Sequence, residues 1–205
     1  MLKQFQNEIL KLKKYPYVKK KIIQQFLERL HAGSLIQELN PIDHYCSFFV
    51  PFDMKSKSIF VGHHIKADEW IPPGGHIELE ETPLQAVYRE FSEELRFPLS
   101  DQKVELFDLG LTRITDSKRS CRIHYDFWYL VFVEKVDFNF DKDEFYEAVW
   151  LSVETAIKKA ERQSIVIPLT HLSKNLVALR RRGRKGHSKE TLPITLIGLR
   201  SIYNS

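Results

Sequence analysis

The chain has 205 residues, of which 43% are hydrophobic and 28% charged, the balance of a folded globular protein. That length suits one domain with extensions, and the apolar runs are too short for a membrane helix. The formal net charge is +4, carried unevenly: lysines crowd residues 11 to 21, Arg180, Arg181, Arg182, Arg184 and Lys185 form a second basic cluster, and an acidic block runs from Glu78 to Glu94. An acidic site inside a mildly basic protein suits a metal that bridges to an anionic substrate.

The N-terminus has no apolar core behind its basic residues, so a secretory signal is not expected. Cys46 and Cys121 cannot build a disulfide framework and lack CxxC or Cys/His metal spacing. A cytoplasmic location follows as the expectation.

In chain order, residues 3 to 30 read as helix broken at Tyr15-Pro16, with Ile9, Leu12, Ile22, Ile23, Phe26 and Leu30 as apolar positions. Gly33 to Asp43, with Asn40-Pro41, marks a boundary. Residues 44–52 and 58–64 are rich in β-branched and aromatic side chains and read as strands. A Pro-Gly loop then leads into a short strand. Thr82 caps the next helix, Pro83 takes its first position, and Gln85 completes a capping box. This helix must stop before Pro98. Strands are expected at 104–114, 121–136 and 147–152, a short helix at 153–161, and helices from Pro168 and after Gly186. The resulting division is 1–40 as a helical extension, 41–162 as the central domain and 163–205 as a basic helical extension. Mixed strands around one well-defined helix give an α/β (α+β) sandwich.

On that central helix Glu90, Glu93 and Glu94 stand at i, i+3 and i+4, so the three carboxylates share a face. Leu84, Val87, Phe91 and Leu95 form a separate core-facing arc. Arg89 lies one turn from Glu93, within reach of a charge-assisted hydrogen bond. Three like charges in one turn repel, and a hard divalent cation relieves that repulsion.

The segment Gly75 to Phe97, GHIELEETPLQAVYREFSEELRF, resembles the Nudix box, with Gly75, Glu81, Arg89, Glu90, Glu93 and Glu94 in register. Weaker likeness extends over roughly residues 42 to 160, through the stretch around Trp150. There are two departures: Phe91 stands at a usually aliphatic position, and Arg96 replaces a late glycine. A left-handed turn at a non-glycine residue costs roughly 1–2 kcal/mol, so a strained or reshaped turn is expected there.

The resemblance implies a Nudix-type α/β/α sandwich and a magnesium-dependent hydrolase (manganese being an alternative ion) that cleaves the diphosphate linkage of a nucleoside diphosphate derivative or nucleotide. It implies that Gly75, Glu90, Glu93 and Glu94 hold the metal, with Arg89 orienting a carboxylate and Glu93 and Glu90 in the catalytic set. Glu81 is a further ligand or a salt-bridge partner. Glu144 and Glu147 are candidates for a general base outside the box, and His63, His64 and His124 fall in the same region. Arg119 and Arg122, in the loop with Lys118, are expected to meet phosphates. From residues 121–136, two of Tyr125, Phe127, Trp128 and Tyr129 are expected to stack on a base, with Trp128 as the leading choice.

The alternatives are a Nudix-like nucleotide-sensing regulator and an RNA 5′-end pyrophosphohydrolase using the basic C-terminal segment. The fold would also admit an isoprenoid diphosphate isomerase, but the context of Cys46 does not resemble that activity. A small nucleotide-type substrate is the expected partner; nucleic acid is not favoured, a membrane is not expected, and a homodimer is left open.

Overall fold

The computed structural model describes residues 1–116 and 118–184, with backbone alone for 177–184. Lys185 and the helix expected after Gly186 lie outside the described residues. The elements are α1 (Leu2–Lys11), α2 (Lys20–His31), β1 (Asp43–Asp53), β2 (Ser58–His64), β3 (Glu69–Ile71), β4 (Gly74–His76), α3 (Pro83–Leu95), β5 (Val104–Arg113), β6 (Ile123–Phe132), β7 (Phe145–Ser152), α4 (Val153–Lys159) and α5 (Gln163–Arg184). No described helix is long and apolar enough to cross a membrane.

The strands form one mixed seven-stranded sheet in the order β3-β2-β1-β6-β5, with β4 added on β1 and β7 on β2. β1 is the organising strand. One edge runs parallel to β6 from Asp43↔Ile123 to Phe52↔Phe132. The other edge forks, pairing β4 at Cys46, Ser47 and Phe48 and β2 at Phe52 and Asp53. Gly74 makes the β4 branch feasible. Its φ is +138°, and a Cβ there would stand 2.3 Å from the Ser47 carbonyl oxygen.

Helices cover both faces, giving the expected three layers. α1, α2 and α3 share one core with the sheet, through Phe5, Ile9, Phe26, Val87 and Phe91 against Tyr45, Phe49 and Phe127. α4 and α5 cover the other face, where Ala156, Ile165, Leu169 and Leu172 meet Val50, Ile59 and Trp128. Fully burying one such large side chain contributes roughly 1.5–3 kcal/mol, so the N-terminal helices add materially to the sheet's stability. Arg29, a buried residue of α2, donates to the backbone oxygens of Asp43 (3.1 and 2.9 Å) and Gly33 (2.7 Å) and so fixes where β1 begins.

Several elements differ from the sequence reading. The strand at 121–136 stops at Phe132, and β3 is too short for periodicity to reveal it. The last helix begins at Gln163 rather than at Pro168, because Ile165, Leu169 and Leu172 bury one continuous face across the proline.

Candidate active site

α3 is built as its first residues dictate. The Thr82 hydroxyl accepts from the Gln85 N–H (3.3 Å), and the Gln85 side chain accepts from the Thr82 N–H (2.9 Å). At the other end Arg96 adopts the left-handed conformation itself (φ 49°, ψ 38°), so the turn keeps its shape without the glycine. Phe91 is fully buried against Phe49, with ring centroids 4.9 Å apart.

Because α3 packs on β1 and β4, Glu90 and Glu94 turn inward while Glu93 stays exposed. Glu94 accepts a hydrogen bond from the Gly74 N–H at 2.7 Å, and a Cβ on Gly75 would lie 2.2 Å from Glu90 Oε1. Only glycine at position 75 lets the backbone approach that carboxylate. Burial pushes the Glu90 carboxyl up to about 7 despite the opposing pull of Arg89. Burial and the neighbouring Glu90 charge also push the Glu94 carboxyl well above its usual range.

Arg89 ties the site together. It forms a fork with Glu81 and contacts Glu90 (2.9 Å), Glu93 (3.0 Å) and the backbone oxygen of His76 (2.9 Å). Burial opposes its charge, but the Glu81 hydrogen bonds and the Glu90 charge hold the guanidinium protonated. Burial alone would raise Glu81, yet the bonds from Arg89 and from the Glu78 N–H hold it below its usual range. Glu81 thus stands in a salt bridge with Arg89 at the start of α3.

Gly75, Arg89, Glu90, Glu93 and Glu94 line a cavity of about 580 Å³. It also receives His64, Lys66 and Glu144 from the β2 and β7 side, Arg119 from the loop before β6, and Arg162 from the turn before α5. One ligand atom each from His64, Glu94 and Glu144 lies within 4.8 Å of the others. Glu144 is held by Lys66 (2.7 Å) and His64 (3.3 Å). Arg162 is held by the buried Glu69 of β3, which binds its Nε and accepts from its backbone N–H at 2.7 Å. Phe48, Ile71 and Ile165 form the apolar part of the lining.

Four sequence expectations need correction. Trp128 is fully buried beneath Phe48, with centroids 5.0 Å apart, and does not line the cavity. Phe127 and Tyr129 are likewise buried, and Tyr125, half-buried against Phe26 and Tyr45, also lies outside the cavity. β6 lies between β1 and β5 with helices on both faces, so both of its alternating faces pack inside. Arg122 turns onto the backbone oxygens of Asp116, Arg119 and Cys121, while Arg119 reaches the cavity. Glu147 is exposed on β7 opposite His63 and outside the cavity, whereas Glu144 faces Glu94 within it. Of the histidines, His64 and His124 line the cavity, and His63 pairs with Asp68 (3.1 Å). Lys66 and Arg162 carried no local signal, since only the folded sheet brings them to this place.

A family model for the NUDIX domain matches residues 46–171. A Lactococcus lactis subsp. cremoris protein named as a probable DHNTP pyrophosphohydrolase is 33% identical over 85 residues, 40% of this chain and 50% of that protein. The chain thus spans about half the length of the curated relative it matches. Among solved structures, the Escherichia coli dihydroneopterin triphosphate pyrophosphohydrolase superposes with a TM-score of 0.58 at 16% identity, covering 64% of this chain and 95% of that one. A Caenorhabditis elegans Ap4A hydrolase complex gives 0.57 at 18%, covering 65% and 98%. A putative NUDIX hydrolase from Listeria monocytogenes gives 0.56 at 23%, covering 66% and 95%. At these identities the structural likeness is one of fold.

Proposed function

The chain belongs to the NUDIX family, and on that premise we propose that it is a magnesium-dependent pyrophosphohydrolase acting on a free nucleotide-type substrate. The observation that carries this reading is a single cavity lined by the buried Glu90 and Glu94 together with Lys66, Arg119 and Arg162.

The donor set fits a hard divalent cation. It offers carboxylate oxygens that repel one another where they stand, beside a glycine backbone that leaves them room. Glu90, Glu93, Glu94 and the Gly75 carbonyl would hold magnesium, with manganese as a chemically similar substitute. Bound there, such an ion neutralises diphosphate oxygens and makes a bound water more acidic.

The protein's own groups do the rest. Arg89 fixes the acidic face through Glu81. Arg119, Arg162 and Lys66 meet the phosphate charge that the carboxylate wall does not serve. Glu144, positioned by Lys66 and His64, is the proton acceptor this reading assigns. Phe48 offers a ring face to a base, and the cavity volume lies in the range that admits a nucleotide. The relatives named for dihydroneopterin triphosphate make a fused-ring triphosphate the first substrate to try.

The test is a panel of nucleoside triphosphates, dihydroneopterin triphosphate, dinucleoside polyphosphates, nucleotide sugars and 5′-triphosphate RNA, assayed with magnesium across a salt series. Turnover of a free nucleotide with moderate salt dependence supports the proposal. A steeply salt-sensitive preference for RNA that disappears when Arg180, Arg181 and Arg182 are changed to Ala would overturn it in favour of the RNA 5′-end reading.

A further inference from the structure

At the edge of the same cavity, whose lining includes His76 and His124, the fold gathers four other metal-ligating side chains from three separate stretches of chain. His44 is the second residue of β1, His76 closes β4, His124 is the second residue of β6, and Cys121 lies in the loop just before β6. One ligand atom from each lies within 4.8 Å of the other three. The three imidazole rings form a triangle, with centroids 4.8, 5.0 and 5.1 Å apart. Cys121 Sγ stands 3.8 Å from His44 Nε2. His44, Cys121 and His124 are buried, and His76 is partly so.

Ordinary packing accounts poorly for this arrangement. The buried Nε2 of His124 has no hydrogen-bond partner, and an unsatisfied buried polar atom costs about 1–3 kcal/mol. The surroundings, meanwhile, prepare the group as ligands. His44 Nδ1 lies 2.8 Å from the Asn40 carbonyl, which can only accept, so Nδ1 carries the proton and the Nε2 lone pair faces the sulfur. The Gln37 amide donates to Cys121 Sγ at 3.4 Å, a contact suited to a thiolate.

We propose that His44, His76, His124 and Cys121 form a second metal site, a closed centre for a borderline-soft divalent cation of the zinc class. Imidazole and thiolate select such an ion over magnesium. A tetrahedral zinc site with metal–nitrogen and metal–sulfur bonds of about 2.0 and 2.3 Å sets nitrogen and sulfur roughly 3.5 Å apart, close to the separation found here. With four protein ligands no position is left for a reacting water, which makes the centre structural. It ties β4 to β1 and β6. His76 follows Gly75, and its backbone oxygen accepts from Arg89 at 2.9 Å, so the centre would brace the carboxylate wall from alongside. The assignment rests on its own residues and stands whether or not the proposed hydrolysis is correct.

The rival set is Cys46, His124 and Asp126, whose ligand atoms are equally close. It shares only His124 with the proposed centre. It offers three ligands against four, and its Asp126 is already engaged by the Thr112 hydroxyl.

The experiment uses the full chain, stripped with a chelator and titrated with cobalt(II) in excess magnesium. The expected result is stoichiometric cobalt uptake, with intense tetrahedral ligand-field bands and a sulfur-to-cobalt charge-transfer band, both displaced by zinc. Cys121→Ser should abolish the charge-transfer band, whereas Cys46→Ser and Glu94→Gln should leave it. Absence of that band in the wild-type protein would overturn the proposal. So would a band that survives Cys121→Ser or is lost in Cys46→Ser.

Discussion

Arg89 holds Glu81 by two parallel hydrogen bonds, Nε to Oε1 at 2.8 Å and Nη2 to Oε2 at 3.0 Å, across the start of α3. The planar fork fixes the guanidinium so that its remaining nitrogen reaches Glu90 and Glu93. A lysine keeps the charge but cannot make this paired contact. Arg89→Lys should therefore lower turnover about 10–100-fold, the usual effect of losing a group that orients ligands. Equal activity in steady-state assays of the two proteins would show that the fork is dispensable.

Glu144 and Glu147 are three residues apart but sit in different environments. Glu144 faces Glu94 and His64 in the cavity, while Glu147 is exposed on β7. Glu144→Gln should reduce kcat about 10²-fold or more, as expected for a general base, while Glu147→Gln should leave it unchanged. A larger defect in the Glu147 variant would reverse the assignment.

Arg96 occupies a left-handed conformation at the end of α3 and lies 3.4 Å from Asp141 at the surface. Arg96→Gly removes backbone strain but adds freedom to the unfolded chain. Thermal or denaturant unfolding should shift by about 1 kcal/mol or less, with activity within a few-fold of wild type. Loss of activity would mean that Arg96 contacts substrate.

On the far face of the sheet, the buried Asp108 lies 2.6 Å from His171 Nδ1. Burial raises the Asp108 carboxyl above its ordinary value of 3.8, and His171 opposes that rise. Removing the histidine raises it further. A carboxyl raised in the folded state favours folding while protonated, and that contribution disappears as pH rises through its folded value. His171→Ala should thus lose stability relative to wild type by a margin that widens from about pH 4 towards pH 7. Melting curves across that range give the answer, and a gap that narrows with pH would contradict the pairing.

What the sequence disclosed was local. The helix over Glu90 to Glu94 was legible because its cap, its proline and its apolar arc lie within one stretch of chain. The rest of the cavity lining was not legible. Arg162 acquires its place only because Glu69, from a three-residue strand, binds it across the fold. Arg119 and Arg122 look alike in the sequence, yet one enters the cavity and the other folds back on its own loop. The rings of residues 121–136 were misread for a similar reason, since alternation along a strand does not reveal that both faces are covered.

The most direct test of the account is Glu94→Gln, assayed with the best substrate at saturating magnesium. The neutral amide can retain the contact with the Gly74 N–H and removes a buried charge, so the fold should be kept or slightly stabilised. The account predicts a loss of turnover by orders of magnitude in a protein that still melts cooperatively. A folded Glu94→Gln protein with near-normal magnesium-dependent turnover would contradict it.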